Sequence, residues 1–298
     1  MSGPLWSILV VSYNSTAEVR DLLSDLKCHP DLEHNEILVA ENGSDDLDAM
    51  RKLAHEHEIK LVELANPGFG AACNLLAKMS VGKYLLLANP DLRLPHDILP
   101  RMADTLCSLD VGSVGPVLLN EDGSEQFSWN LEMNLWWEFL EAHGLQNWWR
   151  RRLTNKFKQL SPNGPWNVGF TTAACLAIRA EAFHRVGGFD ETFFLNYEDI
   201  ELGDRLRANG YSNVVRPDIE ALHRNSLIQS RNLANFVYHR LEAKRCYIKI
   251  HYHGWRHRVA TLLCLDQIAM RLIIGFVFLK GQQRSRLNGY IRALMSYR

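Results

Sequence analysis

Lys83-Tyr84-Leu85-Leu86-Leu87-Ala88-Asn89-Pro90-Asp91 decides the fold. The run Lys83–Ala88 is apolar, strand-sized and too short for a helix, so it reads as a buried strand. Pro90 has no N–H and cannot continue a central ladder, which ends the strand there. Asp91 then projects beyond the carboxyl end of the strand. In open α/β sheets that edge is where ligands bind.

Elements on the N-terminal side alternate with this strand. Ser7–Ser12 reads as a buried strand. Thr16–Leu26 reads as a helix, with Val19, Leu22, Leu23 and Leu26 at helical spacing and Ser15 or Thr16 as N-cap. Glu36–Ala40 is the next strand, closed by the turn cluster Asn42-Gly43-Ser44-Asp45. Asp46–His57 reads as helix, Lys60–Leu64 as strand and Gly70–Ser80 as helix. The resulting βαβαβαβ order predicts a mostly parallel sheet with right-handed crossovers. A helix over Pro95–Leu109 and a strand over Ser113–Leu118 follow.

Residues 124–166 break the alternation. Five of the eight tryptophans fall in 136–166, with Arg150-Arg151-Arg152 among them. This stretch is either an excursion packed on the core or an aromatic flap over a sugar or lipid site. Order returns with a strand over Ala173–Ile178, a helix over Ala180–Val186, the turn Gly187-Gly188-Phe189-Asp190, a helix over Glu198–Asn209 and a strand over Asn213–Arg216.

Bulk properties narrow the class. The chain has 298 residues, 47% hydrophobic and 22% charged, enough for one large α/β domain with an appendage. Six scattered cysteines without a C-x-x-C pair imply reduced thiols and a cytosolic protein. The N-terminus lacks the basic start of a signal peptide. No uncharged run reaches the roughly 20 residues that span a bilayer; Val259–Leu279 is interrupted by Asp266 and Arg271. The net charge of −1 hides a split. Residues 231–298 hold 13 Lys/Arg against two Asp/Glu, whereas residues 1–230 hold 20 against 32. The basic, helical tail calls for an anionic partner: a membrane surface, a phosphorylated lipid or a nucleic acid.

Several residues have the chemistry of a site. Asp91 can hold Mg²⁺ or Mn²⁺ that also binds diphosphate oxygens; Asn-Pro-Asp is otherwise a common turn. Asn66-Pro67-Gly68-Phe69-Gly70 precedes a helix, with Asn74 one turn on, and lets a ligand approach the backbone. Cys73 stands where a dinucleotide fingerprint has its third glycine, which disfavours an NAD enzyme. Glu41 can accept the imide N–H of uracil or thymine, or close an ordinary turn. Glu198-Asp199 opens a helix whose dipole favours carboxylates, and Asp199 can serve as a general base. His223 can complete a divalent metal site or bind diphosphate. His251, His253 and His257 read as surface residues.

Together these pieces resemble the inverting family 2 glycosyltransferases of the GT-A fold, especially bacterial rhamnosyltransferases. The matching stretches are Ser7–Ser15, Glu41-Asn42-Gly43-Ser44, Asn66–Gly70 with Asn74, Leu86–Asp91, Val186–Glu191, Tyr197–Leu202 with Arg205-Leu206, and His223. They stand in family order over about residues 5–230. The family often has an acidic residue and a small Ser-Gly-Ala stretch before the strand that leads to Arg179. Here Gly169 and Thr172-Ala173-Ala174 occupy it.

The resemblance implies a GT-A domain over residues 1–230 and a basic amphipathic helical extension over 231–298. It also implies roles. Ser12, Tyr13, Asn14, Glu41, Asn66, Gly68, Gly70, Asn74 and Asn89 would bind the nucleotide sugar, with Glu41 reading the base. Asn89 stands at the first acidic position of the family's D-x-D. Asp91 and His223 would hold Mg²⁺ or Mn²⁺. Asp199 would be the base, supported by Glu198. The implied donor is a nucleotide-diphosphate sugar, dTDP-rhamnose or a UDP-hexose. The implied acceptor is a saccharide or a polyprenyl-diphosphate-linked saccharide, met at the inner face of the cytoplasmic membrane. Trp255, Ile273, Phe276 and Phe278 would let the tail rest on that anionic surface, or the tail is a solvated basic helical cap. Nucleic acid is not an expected partner of this enzyme, and the alternative is a non-catalytic nucleotide-binding module with a nucleic-acid-binding tail.

Overall fold

The structure is a computed structural model that describes residues 5–27, 35–162, 164–224, 233–278 and 283–296. The sequence readings that involve Cys28, Asn225, Ser226 and the side chains of Phe276 and Phe278 lie outside the described residues.

The chain divides into two compact units. The first comprises residues 1–132, 161–191 and 198–225. Its strands are β1 (Trp6–Ser12), β2 (Glu36–Asn42), β3 (Lys60–Leu64), β4 (Tyr84–Ala88), β5 (Leu92–Arg93), β6 (Val111–Leu119), β7 (Trp129–Asn130), β8 (Trp166–Val168), β9 (Phe170–Thr171), β10 (Cys175–Arg179) and β11 (Ser212–His223). Its helices are α1 (Thr16–Lys27), α2 (Leu47–Glu56), α3 (Phe69–Met79), α4 (Ile98–Leu106), α7 (Ala180–Arg185) and α8 (Glu198–Ala208).

The main sheet runs β3-β2-β1-β4-β10-β6-β11-β5, with β8 paired to β11. Strands β3, β2, β1 and β4 are mutually parallel, as the alternation predicts. Strand β10 is antiparallel to both neighbours, because the long excursion after β6 returns the chain from the opposite end. The alternation of β1 splits its side chains between two cores. Ile8 and Val10 pack with Val19, Leu22, Met50, Leu53, Ile98 and Met102. Leu9 and Val11 pack with Ala72, Leu76, Phe183, Leu202 and Leu206 on the other face. The unit is therefore a helix–sheet–helix sandwich. β2 and β4 flank β1 on opposite sides, so the order reverses beside the carboxyl ends of β1 and β4.

Strand β11 outruns its sequence reading, which stops at Arg216. A register shift between Arg216 and Glu220 absorbs Pro217, which has no N–H to give, and pairing then resumes to Leu222. Asp218 within this bulge binds Arg216 at 2.7 Å and Arg101 at 2.6 Å. The Arg216 guanidinium holds the Asp218 carboxyl well below the usual carboxylate range. The bulge therefore carries His223 to the same sheet edge as Asp91.

The second unit comprises residues 133–160, 192–197 and 226–298. This differs from the expected division at residue 230. Its helices are α5 (Leu135–Ala142), α6 (Gln146–Leu160), α9 (Leu233–His251), α10 (Trp255–Phe278) and α11 (Gln283–Met295). A buried ion cluster explains why α5 belongs with the C-terminal helices. Lys244 Nζ on α9 lies 2.7 Å from Glu138 Oε2 and 2.8 Å from Glu141 Oε2, both on α5. It also donates to Gln267 Oε1 on α10 at 2.8 Å. Burial opposes ionisation of Glu141, but Lys244 and Arg240 outweigh it and bring the carboxyl down to about 2. Three helices thus share one network, and removing either sign would leave the other charged and buried.

Two histidines depart from their surface reading. His251 is partly buried and stacks on Tyr247 at 4.3 Å, and His257 is also partly buried; His253 is exposed. No described helix is long and apolar enough to cross a membrane.

Candidate functional site

The carboxyl ends of β1, β2 and β4 place most of the expected residues. After β1, Ser12 Oγ and Ser15 Oγ lie 2.9 Å apart, and Asn14 adopts a left-handed φ of 51°. Asn14 N donates to Ser44 Oγ at 2.7 Å and Asn14 Oδ1 accepts from Asp45 N at 2.8 Å, which ties the β1 loop to the β2 loop. Tyr13 stands exposed above them. Glu41 is buried, and its carboxylate accepts from Gly43 N at 3.2 Å and Ser44 N at 3.1 Å, with Ser44 Oγ also donating to it. Its two oxygens thus close their own turn. Asn42 Nδ2 donates to Asn66 Oδ1 at 3.1 Å, so a third loop joins the first two.

Gly68 starts α3 with φ 105°, a conformation that favours glycine. At Gly70 a Cβ would come within 3.0 Å of Phe189 Cβ, so the close approach that needs glycine is to this ring. Asn74 faces the same way. Its Nδ2 donates to Phe189 O at 2.9 Å and Glu191 Oε1 at 3.0 Å, and its Oδ1 accepts from Phe189 N at 2.8 Å. The amide is thereby committed to the Gly187-Gly188-Phe189 turn. It locks α3 to the turn ahead of Glu198-Asp199.

Asn89, Asp91 and His223 meet at the end of β4. Asn89 Nδ2 donates to His223 Nε2 at 3.1 Å, and Asp91 Oδ1 lies 3.2 Å from the same nitrogen. A residue invisible to the sequence reading sets this geometry: Gln126, 97 positions from His223. After β6, a turn folds the chain back so that Gln126 N bonds Leu118 O at 2.8 Å. Gln126 Nε2 donates to the carbonyls of His223 and Leu119. That fixes its amide, so Oε1 is the atom that faces His223 Nδ1 at 2.8 Å. Nδ1 must donate, so Nε2 is the nitrogen left to face Asn89 and Asp91. Only a general pattern, a polar side chain just past a strand end, could have suggested it.

This corner has the donor set for a hard divalent cation. Nε2 and Asp91 Oδ1 lie side by side, and both could ligate a cation placed between them. Among the described residues no group of three or more His, Cys, Asp or Glu gathers to hold a metal. Asp91 and His223 would supply two ligands and leave the other positions to substrate oxygens and water. Gln126→Leu is expected to weaken Mn²⁺ binding by about 10–100-fold, read from the spin-resonance signal of free Mn²⁺. Unchanged binding would remove Gln126 from this role.

Glu198 and Asp199 open α8 but differ in surroundings. Asp199 is partly exposed. Its Oδ1 accepts from Ile200 N at 2.9 Å and its Oδ2 from Ala173 N at 3.3 Å. Burial pushes its carboxyl up, and the hydrogen bonds from Ala173, Ile200 and Thr172 offset part of the rise. Glu198 is buried beside Gly70 and Cys73, and its Oε2 has no hydrogen-bond partner. Burial, then the Asp199 charge, pushes its carboxyl well up. Asp199 therefore ionises first, and Glu198 holds its proton.

A carboxyl raised by folding stabilises the fold at low pH and loses that stability as pH rises through its folded value. Glu198→Gln is thus expected to match the wild type in acid and exceed it in alkali. The gain is about 2–4 °C in Tm per kcal/mol of relieved burial, measured by calorimetry across pH. Coincident Tm profiles would sink this assignment.

Asp199 and the Asn89–Asp91 end of β4 are joined by one short run of backbone. Ala173 N binds Asp199, and Ala174 O accepts from Asn89 N at 2.8 Å. Thr172-Ala173-Ala174 thus stands between a half-exposed carboxylate and the Asp91–His223 corner. Such a pairing can activate a hydroxyl at one side and receive a departing anion at the other.

Comparison with known proteins agrees. Over 263 residues the chain is 27% identical to the N-acetylglucosaminyl-diphospho-decaprenol L-rhamnosyltransferase of Mycobacterium tuberculosis, covering 83% of this chain and 85% of that one. It is 21% identical over 227 residues to the dTDP-rhamnosyl transferase RfbF of Shigella flexneri, covering 75% and 70%. The mannosyltransferase PcManGT from Pyrobaculum calidifontis, solved in complex with GDP-Man and Mn²⁺, shares the fold. Its TM-score is 0.61 at 14% identity, over 100% of this chain and 89% of that one. The profile of Glycosyl transferase family 2 matches residues 7–187. The chain belongs to that family and is a glycosyltransferase of the GT-A fold.

Proposed function

We propose that this enzyme transfers L-rhamnose, with inversion, from dTDP-rhamnose to a hydroxyl of a polyprenyl-diphosphate-linked saccharide in cell-surface polysaccharide synthesis. The observation that carries the chemistry is the backbone run 172–174, bonded to Asp199 on one side and to Asn89 on the other. The sugar and the lipid-linked acceptor rest on the relatives, whose names give a rhamnosyl donor and a decaprenyl-diphosphate acceptor.

Asp199 takes the proton of the acceptor hydroxyl as its oxygen attacks the anomeric carbon. The bond from that carbon to the diphosphate oxygen breaks in the same displacement, which inverts the configuration. Bound Mg²⁺ or Mn²⁺ supplies positive charge for the departing diphosphate. Asp91 and His223 would hold the cation, and Gln126 orients the imidazole. Asn89 presents its amide to the same corner. The Ser12–Asn14, Glu41 and Asn66 loops seat the nucleoside, and Gly68 and Gly70 with Asn74 set the floor beneath the Phe189 turn. Exposed Trp255 and Ile273 on α10 contribute to contact with the membrane that carries the acceptor.

The test is transfer with dTDP-rhamnose, UDP-glucose and UDP-N-acetylglucosamine as donors and a short-chain polyprenyl-diphosphate N-acetylglucosamine as acceptor. The product's anomeric configuration is read by NMR. An inverted rhamnoside is expected. Turnover with a UDP-hexose alone would replace the donor, and retention would reject the mechanism. Binding of the donor should also raise Tm.

A further inference from the structure

The excursion over residues 135–160 forms an aromatic and basic surface of its own. Helices α5 and α6 and the loop between them carry Trp136, Phe139, Leu145 and Trp148 at 49%, 37%, 43% and 56% exposure. The rings fix one another. Trp136 stacks on Phe139 with centroids 5.6 Å apart, and its edge meets Trp149 at 5.9 Å. Trp148 leans on Trp149 at 6.1 Å, and Phe139 on His143 at 4.3 Å. Little side-chain freedom remains to lose on contact.

Charge is one-sided here. Residues 135–160 hold Arg150, Arg151, Arg152, Lys156 and Lys158, and their only acidic residues are Glu138 and Glu141. Both glutamates turn inward, to Lys244 and Arg240. The hairpin's own outward side chains are therefore indole and phenyl rings beside guanidinium and ammonium groups, and the carboxylate of Asp266 on α10 approaches it at His143, 3.6 Å away. Arg151, Arg152, Lys156 and Lys158 are exposed.

We infer that the α5–α6 hairpin is a docking surface for an anionic phospholipid bilayer. Tryptophan suits the headgroup level, where its ring is apolar and its N–H finds a polar partner. Exposed Arg and Lys then pair with lipid phosphates. This rests on the reading of a membrane-borne acceptor and moves the main bilayer contact from the C-terminal helices to the hairpin.

The test is flotation of the full-length protein with vesicles of phosphatidylglycerol and phosphatidylcholine, set against phosphatidylcholine alone, at low and high salt. Binding to the anionic vesicles only, weakened by salt, is expected. Arg151→Glu with Arg152→Glu, and separately Trp136→Ser with Trp148→Ser, should each lower the partition coefficient by about tenfold or more. Trp255→Ser with Ile273→Ser on α10 should change it by less than about threefold. Circular dichroism checks the fold of each variant.

Absence of wild-type flotation on anionic vesicles at low salt would overturn the inference. So would hairpin variants that float like the wild type. Loss of transfer to a water-soluble acceptor in the hairpin variants, with vesicle binding intact, would make the surface part of the acceptor site instead. Vesicle binding that depends on the hairpin, in a protein that transfers no sugar, would uphold this surface and sink the functional reading above.

Discussion

Asp199→Asn lowers kcat by about a thousandfold or more, while donor affinity stays within a few-fold of wild type. The substitution keeps the side-chain volume and one oxygen, enough for the 2.9 Å bond from Ile200 N, and gives up the longer 3.3 Å bond from Ala173 N. What it removes is the group that takes a proton. Steady-state transfer and calorimetric donor titration together separate these effects. The pH profile adds a second reading, since burial raises the Asp199 carboxyl above the ordinary aspartate value. The acid limb of kcat/KM should therefore lie above that value, with activity rising as pH rises through it. Near-wild-type turnover in Asp199→Asn would place the base elsewhere.

Asp91→Asn is expected to weaken Mn²⁺ binding by on the order of a hundredfold and to bring donor affinity with metal down to its metal-free level. The main-chain bond from Arg224 N to Asp91 O, 3.1 Å long, does not depend on the side chain and should survive. The readout is free Mn²⁺ by spin resonance, independent of turnover. Equal Mn²⁺ binding by both proteins would remove Asp91 from the metal corner. Gln126→Leu acts on the same corner through His223, so the two losses should combine less than additively.

Much of the fold was legible because buried strands and amphipathic helices leave local periodicity. Lys60–Leu64 matches its strand residue for residue, and Thr16, Gly70 and Glu198 fall within one residue of helix starts. The antiparallel course of β10 left no local mark, since direction depends on where a long excursion returns. Strand β11 looked finished at Arg216 because Pro217 breaks a ladder, and only its neighbours show that a bulge carries it on. The division into two units leaves no local mark either. Nothing local to Glu138 and Glu141 marks them as buried; Lys244, about a hundred residues away, is brought between them.

In the site, the acidic groups were visible by type and position. Their supports were not. Asn74 reads as a ligand-facing amide, yet its hydrogen bonds go to the Phe189 turn. Gln126 carries no motif, and its importance comes from two carbonyls that orient one amide.

The tripeptide Thr172-Ala173-Ala174 has a consequence for engineering. In the proposed mechanism it is a shared reference point from which both attack and departure would be measured. Nucleotide loops grafted from a relative onto β1 and β2 leave that reference untouched and should change donor choice without spoiling alignment. A chimera spliced inside the tripeptide would set the two halves by different rulers, and intact halves would then add up to a silent enzyme.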